Sequence, residues 1–396
     1  MAEAMTMPQR ARGLFRLAAL AGALLLGACQ TMVPRAPAPP PPVTKAPPVS
    51  ETEVQNGLPR DTARNRVALL VPLSGANAGV GKSLANATQL ALLDSRAEKV
   101  RITNYDTAIG AGAVARRAIA EGAQLILGPL LAEDVRAIAP IARAAHVPVL
   151  SFSNDASVAG DGVYLMGYAP SQSIERVVSY ARGRGVTNFG GLIPNSLYGT
   201  RASTTFLRAV EADGGKVVSL QTYDRSAGAM AAAVARMAKD APFDGVLIAD
   251  SGAAAAAGAP LVRKASPQVR ILGTELWNSD SGVSARAGLE GAWFASVSNG
   301  FYRQYATKYR ARFGTAPYRL SSLGYDAVLL TVRIARDWKI GAPFPEARLR
   351  SGEGYAGIDG AFRFGRDGVA ERALEVQEIR DGATTVVSPA PAGFDK

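Results

Sequence analysis

One cysteine, Cys29, and one histidine, His146, serve all 396 residues. A Cys/His set for zinc needs four ligands, and a single residue of each type cannot provide it. No G-x-S-x-G elbow is present to expose a nucleophilic serine. Glu133 and Asp134 are paired acids, but neighbours on a helix point to different faces. Aromatic residues make up only 7% of the chain, and its net charge of +11 is spread without a run of five basic residues and without interleaved aromatics. That pattern argues against nucleic acid as a partner. These absences leave catalysis little to work with and imply neither a metal nor a cofactor.

The first thirty residues carry more information. Arg10, Arg12 and Arg16 precede an apolar run from Leu17 to Ala28, which ends at Cys29. This is the layout of a secretory leader, and the run is short for a bilayer span, which needs about 20 apolar residues. Leu26-Gly27-Ala28-Cys29 resembles the lipobox of bacterial lipoproteins. The resemblance implies cleavage before Cys29, acylation of that cysteine and a firm hold on a membrane. Gln30 stands where an Asp would argue for retention at the inner membrane, so the periplasmic face of the outer membrane is expected. The charge falls to about +9 once Arg10, Arg12, Arg16 and Glu3 leave with the leader.

Residues 29–65 center on "PAPPPPVTKAPP" and hold almost nothing large and apolar. Such a stretch buries too little surface to offset its ordering entropy. A semi-rigid tether is expected, with a passive spacer as the alternative.

From Arg66 onward, nearly half of the residues being hydrophobic across the whole chain, real cores are expected, and the length favours two lobes. "VALLVPLSGANAGVGKS" reads as a strand, a glycine loop and a helix start ending in Gly81-Lys82-Ser83. It misses the G-x-x-x-x-G-K-[ST] phosphate loop by one residue, because Ala76 stands where the first glycine belongs. An exported chain also meets almost no ATP. Short β-rich runs then alternate with alanine-rich helical stretches, which predicts βαβ units and a parallel sheet in each lobe. Strands are expected at Val67–Val71, Val100–Tyr105, Gln124–Leu127, Val147–Phe152, Phe189–Ile193, Lys216–Gln221, Gly245–Ala249 and Arg270–Leu272. Helices are expected over Gly112–Gly122, Leu131–Ala145, Ser171–Arg184, Arg201–Asp213 and Gly228–Lys239. After Trp293 two helices, Phe301–Phe313 and Ser321–Trp338, precede β-like segments at Gly360–Phe364 and Leu374–Ile379. His146 falls between a helix end and a strand, where it is expected to satisfy helix carbonyls.

Here the order of motifs becomes specific. "VALLVPLSGANAGVGKSLANATQLAL", "NYDTAIGAGAVARRAIAEGAQLILGPLLAEDV", "APIARAAHVPVLSFSND", "LIPNSLYG" and "SSLGYDAV" together resemble the type 1 periplasmic binding proteins of the leucine-binding class, over residues 66–382. Within that class, "GPLLAEDV" and "LLVPLSG" are similar to the penicillin-binding protein activators, lipoproteins that stimulate peptidoglycan synthases. The resemblance implies an α/β fold of two hinged Rossmann-like lobes. The expected division is residues 66–168 with about 294–342 for the first lobe, 169–293 with about 343–382 for the second, and a tail at 383–396. Hinge crossings are expected near Ala169, near Trp293 and near the last strands.

In such a fold the loops at the strand carboxyl ends face an interlobe cleft. Candidate ligand-binding residues are Ser74, Gly75, Asn77, Ser151, Ser153, Asn154, Tyr198, Asp250, Ser251, Glu275 and Trp277. Tyr198 and Trp277 are expected to supply an aromatic wall or to pack as core, and Lys82 to be solvated. The resemblance places Glu275 at the acid that holds a substrate ammonium. Yet the loop after the third strand reads Leu130-Leu131-Ala132-Glu133-Asp134 where the binders carry serines and threonines, and Asp155 stands near an expected threonine. A carboxylate ligand near Glu133 or Asp155 loses donors and gains like charge. Glu133 and Asp134 suit a helix start facing solvent.

Two readings follow. One is a tethered, non-catalytic domain that docks on a penicillin-binding protein or other envelope protein. The other is the solute-binding lipoprotein of an ABC importer for branched-chain amino acids or related amides, with a small molecule in the cleft.

Overall fold

The computed structural model describes residues 61–240, 242–391 and 393–394, with the backbone alone at 54–55 and 58–59. The expected leader, Cys29 and nearly all of the tether lie outside the described residues. Among the described residues no helix is long and apolar enough to cross a membrane.

Apolar, β-branched runs bounded by glycine or proline become the buried strands. In the first lobe β1 (Asn65–Val71), β2 (Val100–Asp106), β3 (Ile126–Leu127), β4 (Val149–Ser151) and β5 (Val163–Leu165) form a sheet of order β2-β1-β3-β4-β5, parallel throughout. Its strands are covered on both faces. Alternate residues Ala68, Leu70 and Ile126 face α2 (Ala111–Ala120) and α3 (Ala132–Ala144), while Val67, Leu69 and Leu127 face the core that includes Leu84 of α1 (Ala78–Ser95). This double burial is what a parallel sheet requires.

The second lobe repeats the rule. Its strands β6 (Asn188–Pro194), β7 (Lys216–Tyr223), β8 (Gly245–Ile248), β9 (Arg270–Gly273) and β10 (Trp293–Ser296) stand in the order β7-β6-β8-β9-β10. Helices α4 (Pro170–Gly183) and α5 (Leu197–Ala212) cover one face, and α6 (Ala229–Met237) and α7 (Gly252–Ala265) the other. Most expected elements are present, with ends shifted by a few residues. The strand at Trp293–Ser296 was not expected, and it carries the second lobe three residues past the expected crossing.

Beyond it α8 (Gly300–Phe313) and α9 (Ser321–Ala335) return to the first lobe, where Tyr305, Tyr309 and Leu323 enter the core with Leu84. Residues from about 343 were expected in the second lobe, but Phe344, Leu349, Tyr355, Phe362 and Phe364 pack into the first core. They do so through a small antiparallel sheet of β11 (Tyr355–Gly357), β12 (Gly360–Phe364) and β13 (Ala370–Arg372). Its aromatic residues find the ring of Tyr164, which meets Phe364 edge-on at 5.2 Å. Only β14 (Glu375–Arg380) and β15 (Ala383–Ser388) join the second sheet, β14 antiparallel to β10 and β15 antiparallel to β14, so that sheet is mixed. Residues 383–388, expected in a tail, form its edge strand.

A buried polar cluster pins the crossings. Arg319 Nη1 donates to Asp359 Oδ1 at 2.7 Å, and Tyr168, on the first crossing, donates to Asp359 Oδ2 at 2.6 Å. Arg372 donates to the carbonyl of Met166 at 2.5 Å, tying the third crossing to the first. Burial raises the proton affinity of Asp359, but the facing Arg319 and Arg372 charges outweigh it and hold its carboxyl below the ordinary value.

The glycine loop now has a physical explanation. A Cβ on Gly81 would lie 1.8 Å from the carbonyl oxygen of Pro72, and one on Gly199, in α5, 1.9 Å from that of Pro194. In each lobe the helix that follows the first strand therefore presses a glycine onto the end of that strand, a close helix–strand contact that needs the missing side chain. Lys82 is exposed, as expected. Gly81→Ala should lower unfolding stability by about 1–3 kcal/mol or more, whereas Lys82→Ala should stay within about 0.5 kcal/mol. Urea unfolding midpoints of the two variants check this.

Candidate interlobe binding site

Both sheets present their strand carboxyl ends toward each other, which is where open α/β sheets place ligands. A cavity of about 190 Å³ lies there. The first lobe lines it with Leu130 and Leu131, ahead of α3, and with Ser153, Asn154 and Asp155 after β4. The second lobe supplies Pro170, Leu197, Tyr198 and Arg201.

Asp155 dominates its electrostatics. Its side chain is only 3% exposed, and it bonds Arg136 Nη2 at 2.7 Å through Oδ2 and Arg201 Nη2 at 2.7 Å through Oδ1. It also caps the turn at Ala156–Val158 by accepting from the backbone N–H of Ser157 at 2.9 Å. Burial alone would raise its pKa, but Ser157 and Arg201 bring the carboxyl down to about 2. Arg136 belongs to α3 in the first lobe and Arg201 to α5 in the second. The pair with Arg201 thus bridges the cleft.

The hydroxyls expected to meet a ligand are spent inside the protein. Ser151 donates to the carbonyl of Pro129 at 2.9 Å and accepts from the N–H of Ser153 at 3.0 Å, and Ser153 in turn accepts from the N–H of Asp155 at 3.1 Å. These bonds shape the loop that delivers Asp155. Asn154 is exposed at the cavity.

Glu275 is buried behind Tyr198. Its carboxylate accepts from the hydroxyl of Ser173, on α4, and lies 3.0 Å from the Tyr198 hydroxyl, which is also 2.9 Å from Thr274 Oγ1. Burial lifts its pKa to about 7, against the opposing effect of these hydrogen bonds. The Tyr198 hydroxyl is pushed well above its usual value by burial and by Glu275.

The remaining candidates lie elsewhere. Trp277 is a fully buried core residue and no wall of the cleft: its indole lies against Gly273, meets Phe294 at 5.7 Å and donates Nε1–H to the carbonyl of Asp250 at 3.1 Å. Asp250 accepts from Tyr223 at 2.8 Å and from the N–H of Ser251 at 2.7 Å. Together with Ser251, the N-cap of α7, it lines a separate groove of about 380 Å³ beside Arg225 and Met230. Ser74, Gly75 and Asn77 are exposed. Ser74 donates to Asp106 Oδ2 at 2.6 Å, Gly75 takes a φ of +71°, and Asn77 precedes α1 without a side-chain cap. Glu133 is exposed in the first turn of α3, and Asp134 is half-buried there. The side chain of His146 is exposed; it is its backbone N–H, at a φ of +54°, that bonds the carbonyl of Arg143 at 3.0 Å.

Arg136 and Arg201 escaped the reading of the sequence. A signal existed for Arg201, which follows Tyr198 by three residues and so shares its helix face.

The chain belongs to the periplasmic binding protein family, whose sequence profile matches residues 65–384. Solved structures agree on the fold. A protein of Rhodospirillum rubrum, described as a candidate branched-chain amino acid ABC transporter, superposes with a TM-score of 0.74 at 20% identity, covering 82% of this chain and 100% of that one. The C-domain of LpoA from Haemophilus influenzae, a regulator of PBP1A, does so with a TM-score of 0.64 at 20% identity, covering 82% and 100%. An uncharacterized protein of Rickettsia prowazekii is 24% identical over 177 residues, 44% of this chain and 47% of its own length. The chain spans about half of that curated relative.

Two outcomes test the site. Arg201→Ala should cost about 1–2 kcal/mol and enlarge the radius of gyration in small-angle scattering, since the bridge across the cleft is lost. For Glu275 the folded pKa lies above the unfolded one, so its stabilising contribution is complete below about pH 4 and is lost as pH rises toward about 7. Glu275→Gln should therefore gain on the parent protein across that window in thermal melts, and parallel curves would refute the assignment.

Proposed function

We propose that this protein is a non-catalytic, lipid-anchored binding-protein domain that activates a penicillin-binding protein, a peptidoglycan synthase, by direct contact from the periplasmic face of the outer membrane. The observation that carries the reading is Asp155. At the loop where an amino-acid binder offers hydroxyls to a substrate carboxylate, this chain holds a buried carboxylate neutralised by its own Arg136 and Arg201. A ligand carboxylate there meets like charge in a partly desolvated cavity. A protein-contact role makes no such demand. Similarity to the LpoA C-domain, a regulator of PBP1A, supports the same reading, as do the lipobox ending at Cys29 and the proline-rich tether.

Glu275 favours a second reading, the solute-binding lipoprotein of an ABC importer. The resemblance read from the sequence matches it to the ammonium-binding acid, and the Rhodospirillum rubrum structure, described as a candidate branched-chain amino acid ABC transporter, supports that reading. For it, Tyr198 and Ser173 must yield Glu275 to a substrate.

The experiment separates the two. Pull-down of the intact lipoprotein from envelope membranes should recover a penicillin-binding protein, and the purified pair should polymerise glycan faster than the synthase alone. Calorimetry of the same protein with branched-chain amino acids should show no saturable heat. Tight amino-acid binding without synthase capture would replace the activator reading with the importer.

A further inference from the structure

A second interlobe cavity, of about 540 Å³, shares no lining residue with the site around Asp155. Its volume is within the range of ligand pockets. One wall is the second lobe's turn around Asn278 and Ser281, and the opposite wall is the first lobe's Tyr302, Arg303, Tyr318 and Arg319. Asp280, the carboxylate on this wall, is already held by Arg286 Nε at 2.7 Å.

Arg319 is the unusual member. Its side chain is 5% exposed. Nη1 makes all of its hydrogen bonds, to Asp359, Ser322 and Tyr168. Nε and Nη2 are buried and have no hydrogen-bond partner among the described residues. Those two nitrogens form the side edge of the guanidinium, and their parallel N–H bonds are the fork that matches a carboxylate. Buried donors of this kind are costly unless something accepts from them. Tyr302 stacks its ring on the guanidinium, 4.0 Å from the guanidinium carbon to the ring centre, and is only half-buried. At the mouth stands Tyr318, 53% exposed and seated against Gly79, where a Cβ would lie 2.8 Å from the tyrosine oxygen.

We propose that this cavity binds a carboxylate-bearing saccharide. The Arg319 fork takes the carboxylate, Arg303 adds positive charge, and the hydroxyls of Ser279, Ser281 and Ser284 meet ring hydroxyls, while Asn278 and Asn299 bond each other. The tyrosine rings cover the sugar's apolar face. A plain aromatic acid leaves the hydroxyl-rich turn without partners, and a neutral sugar leaves the fork unfilled. The site goes beyond the proposed activator role and does not depend on it.

Isothermal titration of the intact protein with glucuronate, glucose, benzoate and acetate tests the assignment. Glucuronate should bind saturably and at least about tenfold more tightly than the other three, and Arg319→Lys, which keeps the charge and removes the fork, should weaken it by about tenfold or more. Because Arg319 also serves the buried cluster at the crossings, melting midpoints accompany the titration, and Ser281→Tyr provides a cavity-filling variant that leaves that cluster intact. It too should abolish binding. Absence of saturable glucuronate binding, equal binding of glucose, benzoate or acetate, or binding unchanged in folded Ser281→Tyr would each overturn the proposal.

Discussion

The structure depends on one buried ion pair. Arg319 and Asp359 meet at 2.7 Å, both nearly sealed from solvent, and around them Tyr168 and Ser322 complete the bonds of the carboxylate. Two buried charges at this spacing are tolerable only because each neutralises the other and neighbouring hydroxyls occupy remaining lone pairs. Arg372 brings in the last crossing strand through the carbonyl of Met166. Two of the three chain crossings are thereby fixed side by side, and the two lobes meet at their strand ends rather than along their flanks.

The cleft has turned its polar equipment inward. Ser151 and Ser153 shape a loop, Ser173 and Tyr198 occupy Glu275, and two arginines from different lobes share Asp155. Each group has the chemistry of a ligand contact and already possesses a partner. This distinguishes a fold from its use: the family profile spans the folded part, while Ser151, Ser153, Tyr198 and Glu275, the side chains expected to meet a ligand, are hydrogen-bonded within the protein. A surface for another protein needs only the scaffold.

The alternation of strands and helices was legible because doubly covered strands read as continuous apolar runs, as at Val67–Val71. The glycine turn after the first strand was visible too, although the phosphate-loop likeness of Gly81-Lys82-Ser83 concealed that Gly81 answers to a carbonyl of its own chain. Less was legible where an element is short or its company distant. Val163–Leu165 has three residues, too few for a period. The aromatic residues of 343–372 show no sign in sequence of which core they enter, because that is settled by Tyr164, almost two hundred residues earlier. Trp277 looked like a binding residue because it follows a strand end, but Gly273 leaves room for the indole to fold back into the lobe. The ion pairs of Asp155 join positions 19 and 46 residues away, a distance that local spacing does not encode.

That sharing of Asp155 has an energetic corollary. Were the halves to part, Arg201 would leave with its own half and regain hydration, while Arg136 would stay with the carboxylate. No naked anion would be created. A separation of the lobes would therefore exchange one cation for solvent rather than strip a charge bare.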